Sequence, residues 1–244
     1  MLYNIHDIYI GRSLDLYGEY SEGEIELFRR MLRPGQMVVE VGANIGAHTL
    51  FFARHVGPTG AVLAFEPQRI VFQTLCANLA LNSVTNVDCR HQAVGAVAGE
   101  VVVPEVDYRR EQNFGGLALG SYQEGERVRL VTIDGLNLGR CHLLKIDVEG
   151  MEQAVLEGAT ATLSRLKPVL YVENDRREKS ADPIRFLDAQ GYAMYWHTPP
   201  LFNPENFLKN QLNVFRNIIS RNMLCLHNSG PHKVEGIEAV QVPV

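Results

Sequence analysis

The sequence predicts an α/β fold: a doubly wound, mostly parallel sheet covered by helices on both faces. Three observations predict it. Short continuous apolar runs recur along the chain, most are followed by a stretch with helical apolar spacing, and charged or amide side chains stand where the runs end. Continuous rather than alternating apolar runs mark strands buried on both faces, and strand-helix alternation marks parallel crossovers.

Residues 37–42 form the first predicted strand, apolar except for Glu40, and residues 47–56 follow as a helix after a glycine-rich turn. Residues 61–65 (AVLAF) form the second strand and close on Glu66-Pro67; residues 69–82 then carry helical spacing at Val71, Leu75 and Leu79. Residues 87–94, 142–148 and 168–172 supply the third, fourth and fifth strands, with helices predicted over 151–166 and 183–190. Residues 192–197 and 222–227 read as two closing strands. Between the third and fourth strands, residues 99–139 carry extra β-like runs at 100–106 and 128–133 around the loop Asn113-Phe114-Gly115-Gly116, and they read as an insertion over the site. In such sheets ligands bind outside the carboxyl ends of the strands. Residues 40–46, Glu66, Gln92-Ala93, Asp147 and Glu173 are therefore expected on one rim.

With 244 residues, 46% hydrophobic and 21% charged, the chain has the composition of one globular domain. Its formal net charge is -5 and its Lys and Arg residues are scattered. A surface that tracks nucleic-acid phosphates is not expected, because such binding rests on concentrated positive charge. Cys76, Cys89, Cys141 and Cys225 are far apart in apolar segments, away from the short spacings of zinc or redox sites, and buried thiols in a cytoplasmic protein are expected. Charges interrupt every apolar run of the first twenty residues, so neither a secretory segment nor a membrane span is expected.

The turn Glu40-Val41-Gly42-Ala43-Asn44-Ile45-Gly46 places glycines where backbone must approach a ligand and opens a helix whose free N–H groups attract an anion. An adenosine-bearing cofactor is implied. Glu40 separates the readings: a carboxylate on the strand would face the pyrophosphate of a dinucleotide, whereas S-adenosylmethionine presents an ammonium and a sulfonium there. Glu66 ends the second strand, where a carboxylate accepts both ribose hydroxyls. Gln92-Ala93 closes the third strand beside the expected adenine. In LLKIDVEGMEQ, Lys145 lies within the fourth strand and needs a carboxylate partner, for which Glu149 or Glu152 is expected. Asp147, Glu149 and Glu173 face the acceptor side, either as bases for a hydroxyl or, with Asn174, as oxygen ligands of a divalent cation. His197 is a further candidate base, with a structural, hydrogen-bonded role as its alternative.

These motifs resemble the FkbM family of S-adenosylmethionine-dependent methyltransferases. The resemblance runs through YGEYSEGE (17–24), VVEVGANIG, AFEP (64–67), NFGG (113–116), KIDVEGME (145–152) and YVEN (171–174), and so spans nearly the whole chain. It implies a seven-stranded Rossmann-like sheet with an antiparallel last strand, residues 1–34 as a cap with Tyr17 to Ser21 folding over the cofactor, and residues 35–244 as the methyltransferase domain. It further implies S-adenosyl-L-methionine held by Glu40, Gly42, Ala43, Asn44, Gly46, Glu66 and Pro67, with Gln92, Ala93 and Asp147 beside them. The implied reaction is O-methylation of a sugar, glycan or polyketide-type acceptor. A looser similarity to catechol O-methyltransferase would put a cation at Asp147 and Glu173-Asn174, but Gly150 stands where that enzyme has its catalytic lysine. The Pro-Pro-aromatic motif of amino-methylating nucleic-acid enzymes is absent after the fourth strand. The alternative from another class is a catalytically inactive cofactor-binding or scaffold protein of the same fold.

Overall fold

Alternation along each strand decides which side chain meets which layer. The computed structural model describes residues 1–120, 122–230, 234 and 236–243. Two helices, α1 (Ile10–Tyr17) and α2 (Glu22–Met31), precede strand β1 (Met37–Val41). Helix α3 (Ala47–Val56), strand β2 (Ala61–Phe65), helix α4 (Arg69–Leu81) and strand β3 (Val87–Arg90) complete the first half. Three short strands follow: β4 (Ala93–Val94), β5 (Gly99–Val103) and β6 (Glu126–Val131). The second half holds β7 (Leu143–Ile146), α5 (Glu152–Glu157), α6 (Thr160–Leu166), β8 (Val169–Glu173), α7 (Ala181–Ala189), β9 (Tyr192–His197) and β10 (Asn222–His227).

The main sheet has seven strands in the order β3-β2-β1-β7-β8-β10-β9. Strands β3 to β8 of that order pair in parallel, and β10 inserts antiparallel between β8 and β9. Strand order reverses between β1 and β7, the place where such sheets open a ligand crevice. Val39, Val41, Leu63, Leu144, Ile146, Leu170 and Val172 pack on the α5–α7 side. Val38, Ala64, Leu143 and Tyr171 pack with Phe28 and Phe52 of α2 and α3 on the other. Glu40 and Lys145 are in register on neighbouring strands, and Lys145 is in register with Tyr171. The period-two alternation therefore puts both charged groups on the α2–α3 face.

Two predicted elements are broken in the structure. The third strand, read as 87–94, divides after Arg90, and Ala93–Val94 leaves the main sheet to pair with Leu130 and Val131 in a three-stranded sheet β4-β6-β5. Gln92-Ala93 thus stands where the chain passes between two sheets. The helix read as 151–166 divides at Gly158-Ala159. A side chain at Gly158 would overlap the Gly95 carbonyl, so the break lets the helical segment lie directly on the backbone entering the second sheet.

Candidate active site

The turn after β1 is built from backbone that most residues avoid. Gly42, Asn44 and Gly46 all have positive φ, at 85°, 49° and 89°. At Gly42 a Cβ would overlap the Asp147 carbonyl oxygen, so only glycine lets the β1 turn close against the end of β7. Asn44 tolerates the left-handed conformation because its side chain accepts a hydrogen bond from Ile45 N at 2.7 Å. Its own N–H donates to Glu66 Oε2 at 3.0 Å, and Gln68 N donates to Glu66 Oε1 at 2.8 Å. One carboxylate thereby ties the end of β2 to the turn after β1. Burial pushes Glu66 up to about 7, held back by those two backbone N–H groups.

A cavity of about 330 Å³ opens over this turn, with Glu40, Asn44, Glu66, Asp147 and Glu173 among its walls. A narrower slot of about 40 Å³ continues past Glu66 between Pro67, Gln92, Ala93 and Met151. The structure therefore brings the predicted rim together in two adjoining spaces that share Gly42, Glu66 and Asp147. The loop at 113–116 covers both: Gln68 Nε2 donates to the Phe114 carbonyl at 2.7 Å, and Gly115 lies beside the Asn44 amide. Gly46 caps α3 and packs on Leu75 without entering either space.

The floor of the main cavity is ionic. Lys145, only 2% exposed, donates to Asp147 Oδ2 at 2.9 Å. Its partner is thus Asp147, whereas Glu149 accepts from Arg176 at 2.7 Å and Glu152 accepts from Gly150 N. The reason is strand alternation: positions 145 and 147 share a face, while Glu149, at φ 54°, has already turned away. Burial alone would lower Lys145, but Asp147, Glu40 and Glu24 together hold its pKa above the ordinary value, so it stays charged. Burial, the largest single influence, pushes Asp147 up, but the Lys145 charge, the hydrogen bond from Lys145 and smaller contributions from its neighbours together bring it below the ordinary carboxylate value. Glu40 accepts from Thr49 Oγ1 at 2.6 Å, and burial, opposed by Lys145 and Thr49, brings it to about 7. Glu173, within hydrogen-bonding reach of Asp147, is raised well above the carboxylate range by burial and then by the Asp147 charge. Its Oε2 has no partner among the described residues.

The profile of the Methyltransferase FkbM domain matches residues 40–194, more than half of the sequence. The chain belongs to the FkbM methyltransferase family. It is 29% identical over 213 residues to the 31-O-demethyl-FK506 methyltransferase FkbM of Streptomyces tacrolimicus, covering 70% of this chain and 78% of that one. It is 26% identical over 191 residues to Methyltransferase 1 of Beauveria bassiana, covering 69% and 76%. The crystal structure of Methyltransferase FkbM from Methylobacillus flagellatus superposes with a TM-score of 0.52 at 17% identity, over 82% of this chain and half of that one, and so shares the fold. As a member of this family the chain is a methyltransferase, and its methyl donor is S-adenosylmethionine.

Several predicted roles change on this FkbM scaffold. Among the described residues no group of three or more His, Cys, Asp or Glu is placed to hold a metal ion, and two of the three acids expected to do so, Asp147 and Glu149, are committed to Lys145 and Arg176. Asn174, expected beside a cation, is buried and turned to Ser180 and Met223. His197 accepts or donates at 2.8 Å with the Tyr171 hydroxyl, the structural alternative. From the expected lid, Tyr20 lines the cavity, whereas Tyr17 is buried and bonded to Leu212 and Val214. Glu24, His48 and Asn222 also line the cavity and were not anticipated. For Glu24 a signal exists: it shares the buried face of α2 with Phe28, four residues on, and an acid on an apolar helical face calls for a partner. The four cysteines are free thiols, and no described helix is long and apolar enough to cross a membrane.

Proposed function

We propose that this chain transfers the methyl group of S-adenosylmethionine to a hydroxyl of a small-molecule or glycan acceptor, of sugar or polyketide type. The observation that carries this reading is the Asp147–Glu173 pair in the cavity wall: one carboxyl held low by a buried ammonium, its neighbour pushed high by burial. A hydroxyl oxygen that takes a methyl cation must lose its proton, and a carboxylate with a raised pKa is suited to receive it.

The residues present fit the cofactor. Gln92 Oε1 is buried in the slot wall without a partner among the described residues, which suits the exocyclic amine of adenine between Pro67 and Ala93. Glu66 would accept the ribose hydroxyls, and Glu40 would face the ammonium at the methionine end beside Gly42, Ala43 and Asn44. When bound, the cofactor supplies an already activated methyl group, so alignment and water exclusion dominate the rate. Asp147 stays ionised on Lys145 and orients the acceptor hydroxyl. Glu173 takes its proton. Glu149, fixed by Arg176, shapes the mouth.

The test is transfer of tritiated methyl from S-adenosylmethionine to a panel of methyl glycosides, macrolide alcohols, amines and RNA. Label in alkali-stable ethers of the glycosides or macrolides supports the reading. Label in RNA or amines alone would replace it.

A further inference from the structure

One buried group in the cavity has no role in this reading. His48 is 6% exposed, lines the main cavity, and its Nε2 has no hydrogen-bond partner among the described residues. Burial, and then the Lys145 ammonium, lowers it to about 3, so the ring is neutral. Buried polar atoms are ordinarily paired, and an unpaired one on a residue that lines a cavity points to a partner brought by a ligand. Glu24 Oε2 lies 3.7 Å away, too far to bond the ring but close enough for both to reach one oxygen at ordinary hydrogen-bond length.

The other Glu24 oxygen accepts from Asn222 Nδ2 at 3.3 Å. Asn222 is in register with Glu173, so this group adjoins the Asp147–Glu173 pair. It also lies on β10, beyond β7 and β8 from the strand that carries Glu40, and therefore on the acceptor side. A ligand oxygen between a carboxylate and a neutral imidazole must donate to the first and complement the second. A hydroxyl does so when His48 carries its proton on Nε2, accepting from that N–H and donating its own proton to Glu24; an ammonium has nothing to offer an N–H.

We propose that Glu24, His48 and Asn222 form a second hydroxyl-binding subsite, so that the acceptor is a vicinal diol: one hydroxyl is methylated at Asp147–Glu173 while its neighbour is held here. This rests on the O-methylation reading above. Glu24 and Asn222 flank the residues matched by the family profile, Glu24 closing the motif YGEYSEGE at 17–24, so the subsite forms where the flanking segments close over the central domain.

The experiment is ligand-observed NMR on the protein saturated with S-adenosylhomocysteine, with cis-1,2-cyclohexanediol and cyclohexanol as probes. The diol is expected to bind about tenfold tighter, the worth of one hydrogen bond to a charged group, and Glu24→Gln should remove that difference while leaving S-adenosylhomocysteine affinity unchanged. Should Glu24→Gln fail to fold, Asn222→Ser makes the same comparison. Equal binding of the two probes by the parent protein overturns the subsite, as does a loss of S-adenosylhomocysteine affinity in Glu24→Gln, which would place Glu24 with the cofactor. Failure of S-adenosylhomocysteine to bind at all would instead contradict the methyl-transfer reading.

Discussion

Glu40 and Glu66, buried, and Glu173, half-buried with one oxygen enclosed, are carboxyls raised by the same cause, and each has a measurable consequence. Glu40 and Glu66 reach about 7, above the ordinary carboxylate range, so the folded protein holds protons that the unfolded chain has released. Their contribution to stability is present below the unfolded carboxylate pKa and is lost as pH rises toward 7. The melting temperature of the ligand-free protein should fall between roughly pH 4.5 and 7, and Glu66→Gln should flatten that slope. A melting temperature that rises across this window would contradict the burial argument. For Glu173 the consequence is kinetic. Glu173→Gln should lower kcat by about 10²- to 10⁴-fold with S-adenosylhomocysteine affinity intact, and the parent kcat should rise with pH as Glu173 loses its proton. Because Asp147 and Glu149 are committed to Lys145 and Arg176, chelation should leave turnover unchanged in the same assay.

Elements show where a single sequence stops being legible. Strands β1, β2, β7 and β8 were readable from their mainly apolar runs, because burial on both faces favours that composition, whereas β3 (VDCR) is only partly buried. The carboxylates at strand ends were readable for the converse reason: a charge closing an apolar run has to face the crevice. What was not readable depends on close approach between distant segments. Nothing local in residues 87–94 tells that Ala93–Val94 pairs with Leu130–Val131, and nothing local at Gly158 tells that it rests on Gly95. Lys145 was given the wrong partner for a related reason, since the turn that removes Glu149 is set by its left-handed backbone. Glu24 and Asn222, which meet across a separation of 198 residues, belong to the same class. The helix break makes a prediction at this scale. Gly158→Ala should destabilise the protein by about 1–3 kcal/mol in urea titration, because the added methyl must displace the Gly95 backbone. A cost near zero would mean that α5 and α6 are separated for another reason.

Across the whole molecule, one sheet edge gathers the chemistry. β2 contributes Glu66, β1 the turn, β7 Asp147, β8 Glu173 and β10 Asn222, so cofactor and acceptor positions follow the strand order. The loop at 113–116 roofs this edge, and the α1–α2 segment closes its side through Tyr20 and Glu24. The central claim is that this edge holds S-adenosylmethionine through Glu66, and calorimetric titration tests it most directly. S-adenosylhomocysteine should bind the parent protein at one site, NAD should not bind, and Glu66→Ala should weaken S-adenosylhomocysteine by at least about tenfold through the loss of charge-assisted hydrogen bonds to ribose. Binding of NAD alone, or S-adenosylhomocysteine affinity indifferent to Glu66→Ala in a folded variant, would contradict the account.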